Sequence, residues 1–494
     1  MELQNFYNQF SELNIMRIYI ASWGDPSGWR PVDYIHYQDE EKKIRSLSSV
    51  SFFDKHYNNK NDNQNDIETF YILVQDSVLF TNPKRDIDGI VVNCAQQVKA
   101  YETHDSGKLI WLQEPPSTYE DLVKTIQDYV QCILRGQGIR RKTQVIVVPS
   151  NITVIRKSSQ DGSYLRFSSS SNYDFMYSMA LMSLYENAVK NGSREPAESN
   201  NSNNRPVKIV VDTTHGINYF AIMTTELARD LAGFLSIKIG GRVNVEFWNA
   251  IMKSTEEYLV TKVATWDRVG IRDVKVFNKG QRPVYRALSL NSPLALIYVM
   301  SELRNSNNSW TLDARSAYKR IKLLQANGLE IKYNLEQQDY KKLDSTYMAF
   351  LIDVLMEKFG KSLVFPVSYE VLLRLKDEVY GLVSETAKDI IEYELNNLYR
   401  GVSLKIKELM EKGDKIREVY KFKYTEIIKY GGNQETTEGK DENLDKAERN
   451  MRAHAGLLRD YVCVECHKLK DEELEISLSY DNWESVKKIL EHGK

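Results

Sequence analysis

Cysteines and long apolar runs are both scarce in this sequence of 494 residues, and each scarcity excludes a class of protein. Four cysteines in a chain of this length do not provide the disulfide framework of a small secreted domain. The first residues, MELQNFYNQFSELNIMR, lack the basic start and the apolar stretch of a signal peptide. No apolar run approaches the roughly 18 residues that would indicate a membrane span. We therefore expect a cytoplasmic protein that does not enter a membrane.

The sequence also lacks a strong charge of either sign. Its formal net charge is −2, so any binding of nucleic acid must come from a local patch of charge. Apolar residues make up 42% of the chain and charged residues 27%, which is ordinary for a soluble globular protein. A chain this long exceeds one compact core, and we expect two or three domains.

The first half of the chain alternates β-branched runs with helical patterns, which predicts an α/β fold with a Rossmann-like parallel sheet. The runs around residues 146 and 209 are nearly continuous in Val and Ile, as in strands covered on both faces. Two polar stretches, 57–66 and 191–206, are interpreted as exposed loops. The predicted strands are Met16–Ala21, Tyr71–Val74, Val145–Val148, Val207–Val211 and Val243–Trp248, and the predicted helices lie near 118–135, 174–191 and 217–235.

The second half of the chain has little proline. After Pro293 only Pro366 follows, so long helices can run without interruption. Ser292 and Pro293 suit the N-cap and first position of a helix that continues from Leu294. Further helices are predicted near 313–327, 338–359, 369–399, 402–421 and 443–468, with one strand at Leu474–Tyr480. We expect the boundary between the halves near residues 280–290.

A loop after a buried strand is the first candidate site. The strand at 207–211 runs into Asp212, Thr213, Thr214, His215, Gly216, Ile217 and Asn218, after which a helix begins. Ligands of parallel sheets bind beyond the carboxyl ends of the strands, where helix N-termini present unpaired N–H groups. The alternative is that these residue types only cap the helix and form the turn. The sequence contains neither G-x-G-x-x-G nor G-x-x-x-x-G-K-[ST], which excludes both common nucleotide loops.

Two further loops are predicted to share this rim. Ser22, Trp23 and Gly24 follow the first strand, and the Trp23 ring could stack on a base, an interaction worth about 1–3 kcal/mol. The segment Val148–Asn151 follows the strand at 145–148. All three loops meet if their strands are neighbours.

The second candidate site lies near the C-terminus, where residues 441–467 are interpreted as one helix. Asn450 and His454 are four residues apart and therefore lie on one side of it. Arg449 is about 140° round the helix from His454, within reach of a long guanidinium group. Gly456 inside a helix is unfavourable, and close approach of another helix or of substrate would explain it.

These residue types suit the cleavage of RNA, which carries its own nucleophile in the 2′-hydroxyl. Histidine suits acid–base work at neutral pH, and arginine suits the charge that develops on the phosphate. No metal ion is needed, and two copies of the helix across a two-fold axis would form a composite site. The alternative is a histidine packed in the core, since Arg30 and His36 also match a loose R-x(4–6)-H pattern in a region that is not helical.

With both stretches in view, the chain resembles the CARF–HEPN ribonucleases of type III CRISPR systems. The resemblance covers the whole length in domain order and is most specific at DTTHGIN (212–218) and ERNMRAHAGL (448–457), while SWGDP (22–26) fits the first ligand loop. It implies a CARF sensor domain at 1–285, a helical connector at 286–335 and a helical HEPN ribonuclease domain at 336–494. Carried over to this chain, the catalytic residues are Arg449, Asn450 and His454. The ligand-binding residues are Ser22, Trp23, Gly24, Asp212, Thr213, Thr214, His215, Gly216 and Asn218.

The resemblance also implies the ligands and partners. The sensor is expected to bind a cyclic oligoadenylate, with cyclic tetra-adenylate as the first choice, and the nuclease to cut single-stranded RNA without metal or cofactor. The implied products carry a 2′,3′-cyclic phosphate, and the assembly is a homodimer or a higher even-numbered oligomer. Some sensors of the family degrade their activator slowly, and the sequence leaves this open here.

Two alternative interpretations remain. Cys463, Cys466 and His467 spell a haem-attachment pattern, but without an export signal or a second C-x-x-C we interpret them as packing residues. The rival function is a ligand-gated transcription regulator, in which helices at 294–304 and 313–327 form a helix-turn-helix with Lys319, Arg320 and Lys322 on it.

Overall fold

The computed structural model forms two compact units. The first comprises residues 1–235, 241–269 and 311–347, and the second comprises residues 236–240, 270–310 and 348–494. The residues that the structure describes are 16–57, 67–79, 88–98, 101–103, 109–111, 116–157, 164–190, 206–216, 218–267, 269–272, 279–305, 319–324, 328–333, 345–412, 419–428, 444–468 and 474–492. Most of the two predicted polar loops, at 58–66 and 191–205, lies outside these residues.

An eight-stranded sheet forms the centre of the first unit. Its order is β3-β2-β12-β11-β10-β1-β4-β7, and the strands β11, β10, β1, β4 and β7 are parallel. These five are the strands that the sequence predicts for the first half of the chain, and the Val and Ile runs of β7 and β10 are buried. The Rossmann-like parallel sheet is therefore confirmed. The strands are β1 Met16–Trp23, β2 Val32–His36, β3 Asp39–Ser46, β4 Ile67–Gln75, β5 Tyr101–Thr103, β6 Leu109–Trp111, β7 Thr143–Val148, β8 Asn151–Lys157, β9 Tyr164–Ser170, β10 Val207–Asp212, β11 Val243–Met252 and β12 Glu257–Trp266.

The helices of this unit carry their apolar residues at helical spacing. In α3 the residues Leu122, Ile126, Tyr129 and Ile133 are buried, and the Thr118 hydroxyl caps the N-terminus by accepting from the Asp121 N–H. The helices are α1 Val50–His56, α2 Gly89–Gln97, α3 Tyr119–Gly136, α4 Tyr173–Leu184 with a π-helical continuation Tyr185–Lys190, and α5 Asn218–Ile239, of which residues up to 235 belong to this unit. A disulfide joins Cys94 of α2 to Cys132 of α3, a bond that the sequence did not predict because the two helices are distant in the chain.

A second sheet in the first unit corrects one prediction. β13 (Ile321–Leu324) and β14 (Gly328–Tyr333) form an antiparallel pair, and β14 pairs in parallel with β9. The predicted helix over 313–327 is therefore wrong at residues 321–324, and residues 306–318 lie outside the described part. The alternation of apolar and polar residues in GLEIKY suits a strand. The described residues 319 and 320 are helical, so the prediction fails from residue 321 onward.

The second unit is mainly helical, as predicted, but its helices begin and end at residues other than those predicted. The helix α10 begins after the N-cap Ser384 and continues to Glu411, past the break that the sequence predicted near residue 400. Gly401 lies in its middle, where a Cβ would be 2.5 Å from Cγ2 of Ile427. This glycine permits close packing and does not end the helix. The helices are α6 Arg282–Ser289, α7 Pro293–Asn305, α8 Thr346–Phe359, α9 Tyr369–Leu375 with its continuation to Val383, α10 Glu385–Glu411, α11 Tyr424–Ile428, α12 Leu444–Ala453 and α13 Trp483–Glu491.

The predicted helix over 443–468 is too long. It ends at Ala453, because Ala455 and Gly456 adopt left-handed backbone angles (φ 51° and 74°) and the Gly456 N–H returns to the Met451 carbonyl at 2.8 Å. This hydrogen bond closes a Schellman-type helix end. Residues 462–468 then form a strand.

A small sheet accompanies the helices of the second unit. Its strands are β15 Val367–Ser368, β16 Val419–Lys423, β17 Val462–Lys468 and β18 Leu474–Tyr480, in the order β15-β18-β17-β16. The strand predicted at 474–480 is confirmed with its bounds. Cys463, Cys466 and His467 lie on β17 and not on a helix. Among the described residues, no helix combines the length and the apolar character needed to cross a bilayer.

Candidate ligand and catalytic sites

The two principal candidate loops meet at the carboxyl edge of the first sheet. β1 lies between β10 and β4, so the loops that follow β1 and β10 are adjacent. The Gly24 N–H donates to the His215 carbonyl at 2.8 Å and joins them directly. The third loop, after β7, lies two strands from β1, beyond β4. The structure therefore brings the first two loops together and places the third farther along the same edge.

Asp212 orders the loop from within the protein. Its side chain is buried and accepts hydrogen bonds from the Tyr19 and Ser49 hydroxyls, both at 2.5 Å, and from the Thr214 N–H at 2.9 Å. Burial, reinforced by the Asp212 charge, raises the pKa of Tyr19 well above its ordinary value, so this phenol stays a donor. These contacts assign Asp212 to the support of the loop.

The two threonine hydroxyls are also engaged within the protein. The Thr213 hydroxyl donates to the Trp248 carbonyl at 3.3 Å. The Thr214 hydroxyl donates to Asp212 and accepts from the Ala250 N–H at 3.0 Å. Both threonine hydroxyls therefore bind the loop to β11. Each already makes a hydrogen bond within the protein.

His215 is held through one ring nitrogen. Its Nε2 accepts from the Ser49 N–H at 3.2 Å and lies 3.0 Å from the Tyr34 hydroxyl, which places the ring proton on Nδ1. Burial lowers the pKa of His215 to about 4. The ring lies 4.3 Å from that of Trp29, measured between centroids. At neutral pH this side chain is an uncharged imidazole that presents Nδ1–H.

The last two residues of β1 contain two buried polar atoms that lack a partner among the residues that the structure describes, Oγ of Ser22 and Nε1 of Trp23. Trp23 is fully buried and meets Trp29 edge-on, so it does not present the exposed stacking face that the sequence predicted. A Cβ on Gly216 would lie 2.3 Å from the Ser22 hydroxyl, so only glycine permits this approach of the two loops. Residue 217 and the side chain of Asn218 lie outside the described part.

A buried carboxyl group that sequence reasoning missed lies at the end of β4. Asp76 is fully buried and accepts from the Ser150 N–H and the Tyr119 and Tyr333 hydroxyls at 3.0–3.1 Å. Burial raises the pKa of Asp76 to about 6 against the opposing effect of these donors. Ser150 belongs to the loop after β7, and Tyr333 belongs to β14. Asp76 therefore fixes that loop and β14 to the main sheet.

In the second unit, His454 directly follows the last residue of α12. Its N–H donates to the Asn450 carbonyl at 3.0 Å, which preserves the helical relation that the sequence predicted for the two residues. The His454 side chain is 35% exposed. It is therefore not sealed in the core.

Arg449 lies on α12, five residues before His454. Its side chain is exposed and has no hydrogen bond or ion pair within the part of the chain that the structure describes.

His454 faces a carboxylate that the sequence analysis did not select. Its Nδ1 lies 3.2 Å from Oε1 of Glu394, a buried residue of α10, and the Tyr424 hydroxyl donates to Oε2 of the same carboxylate at 3.4 Å. The three residues line a small pocket that is open to solvent, with a volume of about 30 Å³. Its other lining residues are Asn397, Ile427, Ile428, Leu457 and Arg459.

Gly456 has two reasons to be glycine. Its φ of 74° is unfavourable for other residues, and a Cβ would lie 2.8 Å from Cβ of Ser292, which precedes α7. The close approach of another helix, which the sequence predicted, is present, although Gly456 lies beyond the end of α12.

The two thiols of the C-x-x-C-H segment lie on β17. Burial raises the pKa of both Cys463 and Cys466 to about 11, so both thiols are protonated at neutral pH. Over the described ranges, no group of three or more His, Cys, Asp or Glu side chains is arranged to hold a metal ion.

Two family models match the chain. Residues 18–251 match the model of the CARF domain of the CRISPR system endoribonuclease Csx1, and residues 384–493 match the model of its HEPN domain. The chain belongs to the CARF–HEPN ribonuclease family. It is thus a member of a CRISPR-associated, ligand-regulated endoribonuclease family, as the resemblance implied. The loops around Ser22 and His215 fall in the CARF match, and α12, His454 and Glu394 fall in the HEPN match. No curated protein sequence matches the chain.

Proposed function

We propose that this protein is a cytoplasmic, metal-independent endoribonuclease that a cyclic oligoadenylate activates and that cleaves single-stranded RNA in type III CRISPR defence. The observation that carries the proposal is the environment of His454. Its imidazole is partly exposed in an open pocket, contacts a carboxylate and directly follows the helix that displays Arg449. This combination suits acid–base chemistry on a substrate that brings its own nucleophile.

The chemistry proceeds by attack of the RNA 2′-hydroxyl on the adjacent phosphate. His454 takes the hydroxyl proton, the new O–P bond closes a 2′,3′-cyclic phosphate as the bond to the 5′-oxygen breaks, and the His454 imidazolium returns the proton to that leaving oxygen. Arg449 stabilises the charge of the pentacoordinate phosphorane. Asn450 orients the substrate. A homodimer with paired α12 helices supplies the composite site, and higher even-numbered oligomers repeat it.

The activator occupies the rim formed by the loops after β1 and β10. Ser22 Oγ, Trp23 Nε1 and the Nδ1–H of His215 are the polar groups that remain for it, and Gly24 and Gly216 keep the backbone close. Thr213, Thr214 and Asn218 complete the proposed site, with Asp212 as its internal support. We propose cyclic tetra-adenylate as the ligand.

The domain assignment is part of the proposal: sensor 1–285, connector 286–335 and nuclease 336–494. The compact units divide the chain differently, since residues 270–310 belong to the second unit and residues 311–347 to the first. The segment proposed as a helical connector contains β13 and β14 as well as α7.

The test is a cleavage assay on labelled single-stranded RNA with cyclic tri-, tetra- and hexa-adenylate, in the presence and absence of EDTA. We expect cleavage with one ring size, no cleavage without activator, little effect of EDTA and a 2′,3′-cyclic phosphate at the new end. Loss of all activity in EDTA would overturn the metal-independent mechanism. Intact RNA with every ring, together with a ligand-dependent shift of duplex DNA, would favour the transcription regulator.

A further inference from the structure

The contact between His454 and Glu394 joins residues that lie 60 positions apart in the chain. Glu394 projects from the middle of α10, and its side chain is only 9% exposed. Taking a carboxylate out of water is unfavourable unless donors replace the lost hydration. Among the described residues, His454 lies at its Oε1 and Tyr424 at its Oε2.

The packing of α11 against α10 supports the contact between Glu394 and His454. Gly401 follows Glu394 by seven residues on the same face of α10, and its lack of a side chain lets α11 approach until Ile427 touches the α10 backbone. That approach places Tyr424, the first residue of α11, beside Glu394. Burial raises the pKa of Tyr424 above its ordinary value, so its hydroxyl remains a donor at neutral pH. The carboxylate is thus fixed before any substrate arrives.

We infer that Glu394 is a positioning residue that orients the His454 imidazole for RNA cleavage. This inference rests on the proposed function. The carboxylate accepts from Nδ1–H, so the ring exchanges its proton with RNA through Nε2, and the negative charge stabilises the imidazolium that forms when Nε2 takes the 2′-hydroxyl proton. The other titratable or charged groups facing the same pocket are Tyr424 and Arg459. The Tyr424 hydroxyl donates a hydrogen bond to the Glu394 carboxylate.

The test compares two isosteric changes on one helix. Glu394→Gln removes the charge beside His454, whereas Glu392→Gln removes the same charge from an exposed residue that pairs with Lys376. We expect Glu394→Gln to lower kcat roughly 10- to 100-fold with little change in KM, as is typical when the partner that orients a functional histidine is altered. Glu392→Gln should match the wild type. Tyr424→Phe, which keeps the ring, should lower kcat about 2- to 5-fold.

The pH–rate profile separates positioning from a general loss of structure. Without the carboxylate the imidazole gives up its proton more readily, so the acidic limb of the Glu394→Gln profile should move to lower pH and the deficit should shrink as the pH falls. Thermal unfolding and activator binding should be unchanged. A Glu394→Gln enzyme with wild-type kcat and an unshifted profile overturns the inference while the proposed function stands. A wild-type protein that leaves RNA intact with every activator defeats the proposed function itself.

Discussion

The two candidate histidines of this protein are anchored in opposite ways. In the sensor unit, Nε2 of His215 accepts a backbone N–H from Ser49, and burial lowers the pKa of the ring to about 4. In the nuclease unit, Nδ1 of His454 faces the carboxylate of Glu394, and more than a third of the side chain is exposed. One ring is held by a donor, and the other faces an acceptor.

The difference shows that the partner, and not the residue type, decides what a histidine can do. A ring that accepts from a backbone N–H must keep that nitrogen unprotonated, so His215 can recognise a ligand but does not titrate near neutral pH. A ring beside a buried carboxylate can take a proton at its far nitrogen and release it again. The predictions below test this contrast, beginning with the largest expected effect.

Removal of the reactive groups should abolish cleavage. His454→Ala and Arg449→Ala should each lower kcat on the order of 10³-fold or more, since acid–base and phosphate-stabilising groups contribute about 10²–10⁴-fold each. Activator binding, measured by isothermal titration calorimetry, should stay at the wild-type level. His492→Ala, which removes an exposed histidine of the same unit, is the control. Wild-type turnover in His454→Ala would show that the catalytic assignment is wrong.

The sensor histidine should show the reverse behaviour. His215→Ala removes the acceptor of the Ser49 N–H and should raise the activator concentration for half-maximal cleavage about 10- to 100-fold, because a lost buried partner costs roughly 1–3 kcal/mol. The maximal rate at saturating activator should be retained. A reduced maximal rate with unchanged activator requirement would contradict the separation of the two roles.

The glycines beside the two histidines should differ in their tolerance of alanine. In Gly456→Ala the new residue must adopt a left-handed φ, and its Cβ lies too close to Ser292. We expect the free energy of unfolding to fall by about 2–4 kcal/mol. Gly216→Ala meets chiefly the Ser22 hydroxyl, and should cost about 1–2 kcal/mol.

Urea denaturation measures both changes. The double variant Ser22→Ala with Gly216→Ala should recover part of the smaller loss, because it removes the hydroxyl that the new Cβ meets. A Gly216→Ala variant less stable than Gly456→Ala would reverse the expected order.

The smallest effect concerns the pH dependence of activator binding. Because the pKa of His215 is about 4, its ring stays neutral from pH 8 down to about 5.5, and the Kd should change less than about twofold over that range. Because the pKa of His215 is lower in the folded protein than in the unfolded chain, its neutral ring stabilises the fold. This contribution is fully present above the unfolded-state pKa of about 6.5 and is lost as the pH falls toward 4. Titration calorimetry at several pH values checks this, and a tenfold change near pH 6.5 would indicate a titrating ring.

Sequence periodicity predicted the first sheet better than the second unit. The Val and Ile runs of β7 and β10 are buried on both faces, so their pattern cannot be confused with that of an amphipathic helix. The segment 443–468 misled because residues 444–453 are helical and the pattern continues beyond Gly456. A left-handed turn at Ala455 and Gly456, where the Tyr480 hydroxyl donates to the Gly456 carbonyl at 2.9 Å, redirected the chain into β17.

The sequence alone determined the α/β class of the first unit, the two motifs and the family to which they belong, because these depend on local order: a strand followed by a loop, or two residues one helical turn apart. Tertiary structure decided the rest. It turned Asp212 and the two threonines inward, buried Trp23, and brought Glu394 and Tyr424 to His454 across a glycine contact. Such contacts depend on which helices, distant in the sequence, pack against one another. The spacing of residues along the chain does not reveal that packing.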